Sequence, residues 1–175
     1  MRPPYLTGQL ISLRPLLLDD KEDAAAWFDG PFPINASRAE TFLKEDVAAS
    51  AWGPPERLHL VIVRTEPEEI VGGVRIEEPG GRTGEIHIRI APWVADATEV
   101  RAEALRLLVP WLRDEVEQMT ITVPVPADES ATVAVLEELG MVQAARLREH
   151  VARPGTRVDL LLYQALNPGW EVRDA

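Results

Sequence analysis

The chain has 175 residues, 46% of them hydrophobic and 27% charged, a balance that excludes a disordered or fibrous polymer and suits one domain of roughly 100 to 200 residues. Eighteen Lys and Arg stand against 29 Asp and Glu, a formal charge of -11, so the averaged field repels phosphate polymers and nucleic acid is not an expected partner. The absence of cysteine removes disulfides, thiolate nucleophiles and Cys-ligated metal centres together.

Apolar stretches such as Leu60 to Val63 and Leu160 to Tyr163 fall far short of the ~20 residues a bilayer-spanning helix needs. No apolar segment follows Met1-Arg2-Pro3-Pro4-Tyr5, so no secretory signal is read. A cytoplasmic protein with no membrane contact is the expectation.

In chain order, the alternation of Leu10, Ile11 and Leu13 predicts a strand over Gln9 to Pro15. The acidic run from Leu18 then opens a helix through Ala24 to Phe28. Asp29-Gly30-Pro31-Phe32-Pro33 ends it. Ser37-x-x-Glu40 reads as a capping box for a second helix, whose stripe is Phe42, Leu43, Val47 and Ala48 and whose end lies near Trp52-Gly53-Pro54-Pro55. Three strands follow, Leu58 to Thr65, Ile70 to Glu78 and Thr83 to Ala91, with Pro79-Gly80-Gly81-Arg82 as a hairpin signal. Pairing Ile76 with Ile86 and Val74 with Ile88 places Glu77 against Glu85 and Arg75 against His87, so one sheet face is dry and the other ionic.

Val100, Ala104, Leu108 and Leu112 repeat at four-residue spacing, with Leu105 beside them, and predict the longest helix over Asp96 to about Glu117, kinked at Pro110. Met119 to Val125 is β-branched and reads as a strand. Asp128 caps a short helix with Val133, Leu136 and Leu139 inward and Gly140 as its stop. Met141 to Val151 and Arg157 to Leu166 close the chain as two strands joined by Arg153-Pro154-Gly155-Thr156. The whole reads as one α/β (α+β) domain over residues 1–175 with a tail from about residue 167.

Several phrases in this order resemble the GNAT superfamily of acyl-CoA-dependent N-acyltransferases. They are Leu6-Thr7-Gly8-Gln9-Leu10-Ile11-Ser12-Leu13-Arg14-Pro15, Ile70-Val71-Gly72-Gly73-Val74, Glu85-Ile86-His87-Ile88-Arg89-Ile90-Ala91-Pro92, Glu103-Ala104-Leu105-Arg106-Leu107-Leu108 and Val135-Leu136-Glu137-Glu138-Leu139-Gly140-Met141. Leu147-Arg148-Glu149 and Asp159-Leu160-Leu161-Leu162-Tyr163 complete the set. Within the superfamily the chain is similar to the branch that acetylates ribosomal-protein N-termini, with antibiotic acetyltransferases nearby. The resemblance implies a mixed, mostly antiparallel sheet with helices on both faces. It also implies acetyl-CoA held in a splay between the fourth and fifth strands, an amine acceptor that is a protein N-terminus or a small molecule, direct attack on the thioester, and homodimer formation. Such chemistry needs a deprotonated amine, backbone N–H donors for the carbonyl oxygen and a proton for the leaving thiolate.

Two stretches depart from the family pattern. Where the family has a glycine-rich turn around the pyrophosphate, this chain has Trp93-Val94-Ala95-Asp96-Ala97-Thr98-Glu99-Val100-Arg101, without glycine. Asp96-x-x-Glu99 there reads as a helix cap occupying the amides a pyrophosphate would meet. Like charges ~4 Å apart repel by ~1 kcal/mol in water and ~4 kcal/mol at a near-surface dielectric, which Arg101 offsets in part. Where the family has Asn-x-x-Ser, this chain has Glu129-Ser130-Ala131-Thr132.

The resemblance therefore implies Glu85 or His87 as the base and Thr132 as the proton donor, with Ile90, Ala91, Trp93, Val94, Thr98, Val100, Arg101 and Glu129 along the cofactor path. Against these roles stand an ion ladder for Glu85 and His87, and backbone satisfaction for Thr132. Tyr163 reads as core with its hydroxyl tied down. Trp27, Trp52 and Trp93 lie near segments that flank the family's acceptor cleft. Glu45, Asp46, Glu66, Glu68 and Glu69 either draw in a cationic amine or solubilise a face. His59 and His150 lack ligand spacing, so no metal site is expected. Three functional readings stand: an acetyltransferase, a non-catalytic member of the same fold that binds a ligand or protein after losing the pyrophosphate site, and a subunit whose main task is dimerisation or assembly.

Overall fold

The structure, a computed structural model, describes residues 5–30, 34–47, 56–79 and 82–170. Its strands are β1 (Leu6–Thr7), β2 (Ile11–Pro15), β3 (Arg57–Arg64), β4 (Glu69–Glu77), β5 (Thr83–Ile90), β6 (Thr120–Pro126), β7 (Val142–Arg153) and β8 (Thr156–Leu166). They form one eight-stranded sheet in the order β1-β2-β3-β4-β5-β6-β8-β7. Every neighbouring pair is antiparallel except β5 and β6. Helices α1 (Ala24–Trp27) and α2 (Ala36–Phe42) cover one face, and α3 (Ala97–Pro110) and α4 (Ser130–Glu138) cover the other. This is the mixed, mostly antiparallel architecture expected from the sequence.

The β4–β5 register is the one the apolar pattern dictates: Val74 faces Ile88, Arg75 faces His87, Ile76 faces Ile86 and Glu77 faces Glu85. Ile76 and Ile86 are fully or almost fully buried against Leu105 and Leu108 of α3, while the polar row looks toward α1. Alpha-helix α1 lies so close to β4 that a Cβ on Gly73 would sit 2.5 Å from the Trp27 carbonyl oxygen. Only glycine permits that approach.

The predicted first strand is in fact two antiparallel pieces, β1 and β2, with the Gly8 amide bonded to the Ile11 carbonyl at 2.8 Å across the turn. Glu103, reaching over from α3, accepts the amides of Gln9 and Leu10 and holds the turn. The helix expected from Leu18 begins as a 3-10 turn, Leu18–Asp23, before α1. Asp20 explains this. Its carboxylate takes both guanidinium nitrogens of Arg14 at 2.8 Å and the Leu17 amide at 2.7 Å, and its carbonyl accepts the Trp27 indole N–H at 2.7 Å.

Three predicted caps are displaced. In α2 the cap is Asn35, whose side chain accepts the Arg38 amide at 2.9 Å, and Glu40 instead bonds Lys21 and Lys44. The predicted end of that helix near Trp52 lies outside the described residues. At α3, Asp96 makes no side-chain bond to the helix amides and pairs with Arg64 of β3 through two bonds of 2.9 and 2.6 Å. At α4, Asp128 pairs with Arg153 at 2.9 and 3.1 Å, and Glu129 takes the N-cap position. In the last two cases a charged planar fork offering two donors outcompetes a neutral backbone N–H.

Alpha-helix α3 buries Val100, Ala104, Leu105 and Leu108 as their spacing predicts, and at Pro110 it passes into a π turn over Trp111–Glu115. Alpha-helix α4 ends as expected at Gly140, which has φ of 77°. The bonds from Gly140 N–H to the Glu137 carbonyl and from Met141 N–H to the Leu136 carbonyl complete a Schellman motif. Among the described residues no helix is long and apolar enough to cross a membrane.

Two predictions follow from these ion pairs. Asp20→Ala removes the acid that a nearly buried Arg14 depends on and should destabilise the fold by about 3 kcal/mol in denaturant titration; a change below about 0.5 kcal/mol would contradict the role given to Asp20. The Arg64 guanidinium holds Asp96 below the usual carboxylate range. A depressed pKa stabilises the fold above the unfolded pKa, and that stability is lost as pH falls through the folded one. Asp96→Asn should therefore lower stability at neutral pH by no more than about 1 kcal/mol and leave a smaller loss on acidification than the parent chain shows.

Candidate active site between diverging strands

The centre of the sheet is built to open. Strands β5 and β6 pair at Thr83 with Thr120, Gly84 with Ile121 and Glu85 with Thr122, and no further. Strand β5 stays paired to β4 up to Ile90, and β6 stays paired to β8 up to Pro126. Each strand follows its antiparallel partner, so the gap between them widens beyond Glu85.

The backbone of β5 offers that gap a hydrogen-bonding edge. The Ala91 amide donates to the Val71 carbonyl at 2.9 Å, so alternation along an antiparallel pair turns Arg89 and His87 toward β4 and turns Ile88 and Ile90 away from it. The N–H and C=O groups of Ile88 and Ile90 thus face the gap, beyond the last residue that β6 pairs. The cleft above this edge on the α3 side has a cavity volume of about 210 Å³, walled by Ile86, Ile88, Val123, Val125 and Leu105.

Its mouth is polar. Arg101 of α3 bonds Glu129 at the start of α4, the Thr132 hydroxyl donates to the same carboxylate at 3.4 Å, and Arg153 lies 3.5 Å from its other oxygen. Thr132 is buried and lines the cavity with Arg101 and Glu129. Of the other predicted cofactor residues, Ile90 is half-buried, Trp93 and Thr98 are exposed, Val94 is buried in the turn, and Val100 is fully buried in the core. The Ala91 amide is already engaged by β4. Glu99, the second half of the predicted cap, is exposed and bonds no described residue's amide.

Glu85 and His87 lie on the opposite face, the α1 side, at the apex of the divergence. His87 Nε2 stands 2.7 Å from Glu85 Oε1. The predicted ionic ladder exists, with its contacts running along strands: His87 meets Glu85, and Arg75 meets Glu77 at 2.9 Å. Glu85 is therefore not neutralised by a guanidinium. Thr132 does not join this pair; the sheet and the gap lie between them. Tyr163 donates its hydroxyl to Glu137 at 3.0 Å, as a packed rather than a reacting phenol would, and burial raises its pKa.

Beside this face lies a smaller cavity of about 70 Å³, lined among others by Trp27, Phe28, Phe42, Asp29, His59 and Arg75. Phe42 meets Phe28 edge-on at 5.6 Å and His59 at 5.4 Å between ring centres, and Asp29 lies 3.5 Å from Arg75. Trp27 lines this cavity, whereas Trp52 lies outside the described residues. Ile86 and Ile88 were not singled out as lining residues, although their alternation with Glu85 and His87 carries that signal. Among the described residues no group of three potential metal ligands converges.

A family model described as an acetyltransferase (GNAT) domain matches residues 11–142. Among solved structures, a protein of Sphaerobacter thermophilus DSM 20745 described as a "putative acetyltransferase" is 50% identical, with 97% of this chain and 99% of that one covered and a TM-score of 0.74. The spermidine/spermine N-acetyltransferase of Vibrio cholerae shares the fold at 19% identity and a TM-score of 0.68, over 94% of this chain and 99% of that chain. A dodecameric structure of spermidine N-acetyltransferase from the same organism aligns at 19% identity and a TM-score of 0.67, over 96% and 100% of the two chains. No curated protein matches. With the family model spanning most of its length, the chain belongs to the GNAT acetyltransferase family.

Proposed function

We infer that the protein transfers acetyl from acetyl-CoA to a primary amine, carried by a protein N-terminus or a small cationic molecule, in the manner of the ribosomal-protein branch of its family. The observation that carries this reading is the apolar cleft left by the divergence of β5 and β6, edged by the free backbone groups of Ile88 and Ile90. An extended amide-bearing chain fits such an edge as an added strand would. Acetyl-CoA, when bound, supplies a thioester carbonyl open to attack by an amine.

The chain's own residues divide the remaining work. Ile88 and Ile90 hold the pantetheine through their backbone groups, and Ile86, Val123 and Val125 exclude water from it. Ala97, Thr98 and Glu99 open α3 with amides that Asp96, drawn off by Arg64, does not cap. That leaves the positive end of the helix for the pyrophosphate without the glycine turn typical of the family. On the other face, Glu85 accepts the proton of the amine directly or through His87, with which it is paired. Thr132, which lines the cleft, returns a proton to the leaving sulfur. The contiguous core from Ile11 to Ala165 supports a single domain, and the outer strand β7, with Val142 and Leu147 exposed, supports homodimer formation.

The second reading, a ligand- or protein-binding member that no longer turns over acetyl-CoA, is favoured by one feature: a carboxylate, Glu129, sits at the cleft mouth clamped by Arg101 and Arg153. Calorimetric titration with acetyl-CoA separates the two. Micromolar saturation supports the enzyme, and no saturation at millimolar ligand supports the binding module.

Glu129→Gln removes the like charge and frees Arg101 for the ligand, so CoA affinity should rise about threefold to tenfold, a fraction of the ~1 to 4 kcal/mol repulsion between close charges; an unchanged or weaker affinity would count against this electrostatic account. Glu85→Gln and His87→Gln should each lower kcat by about 100-fold or more with CoA affinity intact. A kcat within about twofold of the parent's in both variants would remove them from the proton path.

A further inference from the structure

One cation near the apex is unused by this scheme. Arg89 follows Glu85 and His87 at alternate positions of β5 and shares their face. Its Nε is buried without a hydrogen-bond partner, and the guanidinium forms no ion pair with any described residue. The other half-buried arginines on the sheet and its flanking helices are matched: Arg14 by Asp20, Arg64 by Asp96, Arg75 by Glu77 and Arg101 by Glu129. In a chain where acidic residues outnumber basic ones by 29 to 18, a half-buried guanidinium with no acid among the described residues is an exception.

Its surroundings keep it accessible to a ligand. The residue directly across on β4 is Gly73, over which the Trp27 backbone of α1 is seated, so a ligand approaches Arg89 from the other side, where β5 has already parted from β6. A buried donor without an acceptor is unfavourable, and an anion arriving from solvent removes that imbalance.

We propose that Arg89 binds a carboxylate of the acceptor, so that the amine acetylated at this site belongs to an amino acid: its ammonium end is drawn to the Glu85–His87 pair and its carboxylate to Arg89, two residues along the same strand. A planar guanidinium matches a carboxylate with two parallel bonds. A single positive charge balances a monoanion, whereas a phosphate dianion would carry a second negative charge toward the Glu85 carboxylate. The inference rests on the acetyl-transfer reading for the purpose of the site, but its test is a binding measurement independent of turnover.

The full-length protein, saturated with CoA, is titrated with the standard amino acids, β-alanine and γ-aminobutyrate, each beside its own carboxamide. At least one acid should bind about tenfold or more tightly than its amide. Arg89→Gln should bring that ratio to about one with CoA affinity unchanged, and Arg89→Lys, which keeps charge without the fork, should leave an intermediate ratio. The inference is overturned by the absence of any acid preferred over its amide, or by a preference that survives Arg89→Gln. Should Arg89→Gln fail to fold, an acid preference that Arg89→Lys leaves at the parent value overturns it equally. Failure of the acetyl-transfer reading would look different: acid-selective binding without release of free CoA from acetyl-CoA.

Discussion

The structure turns on a parallel strand pair that lasts only three residues. Strands β5 and β6 are each locked to an antiparallel partner along most of their length, and those partners pull them apart once Glu85 and Thr122 are passed. The proposed site is arranged around the resulting opening. The side chains that alternate along β5 send isoleucines into the cleft on the α3 face and the ionisable residues Glu85, His87 and Arg89 to the α1 face. Their backbone groups meanwhile supply the edge between. One strand therefore serves as wall and hydrogen-bonding edge and carries the proposed proton acceptor, without any loop having to place these groups.

Arginine pairing decides whether the cleft stays usable. Two acids that local sequence assigns to helix ends, Asp96 and Asp128, are taken by Arg64 and Arg153 from distant strands. The first pairing leaves the start of α3 without a carboxylate on its amides, which favours an anionic ligand. The pairing of Glu129 with Arg101 has the opposite sense, because it leaves a negative charge at the mouth and occupies the cation best placed to meet a phosphate. Binding at this site is then a competition between internal and external anions for the same guanidinium.

How far the sequence reveals this differs between levels of organisation. Element order, sheet class and the β4–β5 register were legible, because they follow from period-two alternation and from the pairing of apolar with apolar at Ile76 and Ile86. The stop of α4 at Gly140 was legible for a local reason too, since only a residue tolerant of positive φ ends the helix there. The caps at Ser37, Asp96 and Asp128 were misread because a capping motif is a local rule, and its oxygen was taken by a partner up to 32 residues away or displaced by a nearer competitor such as Asn35. Arg89 was invisible for the complementary reason: what marks it is the lack of an acid partner among the described residues, which only three-dimensional placement exposes.

The central claim is that the β6-facing edge of β5 is an open template which the pantetheine of CoA completes. Amide hydrogen exchange at Ile88 and Ile90 tests it most directly. In the free protein those two amides should exchange much faster than their β4-bonded neighbours His87 and Arg89, and addition of CoA should slow them selectively. Slow exchange before any ligand is added, or exchange at Ile88 and Ile90 that CoA at saturating concentration leaves unchanged, would contradict the account.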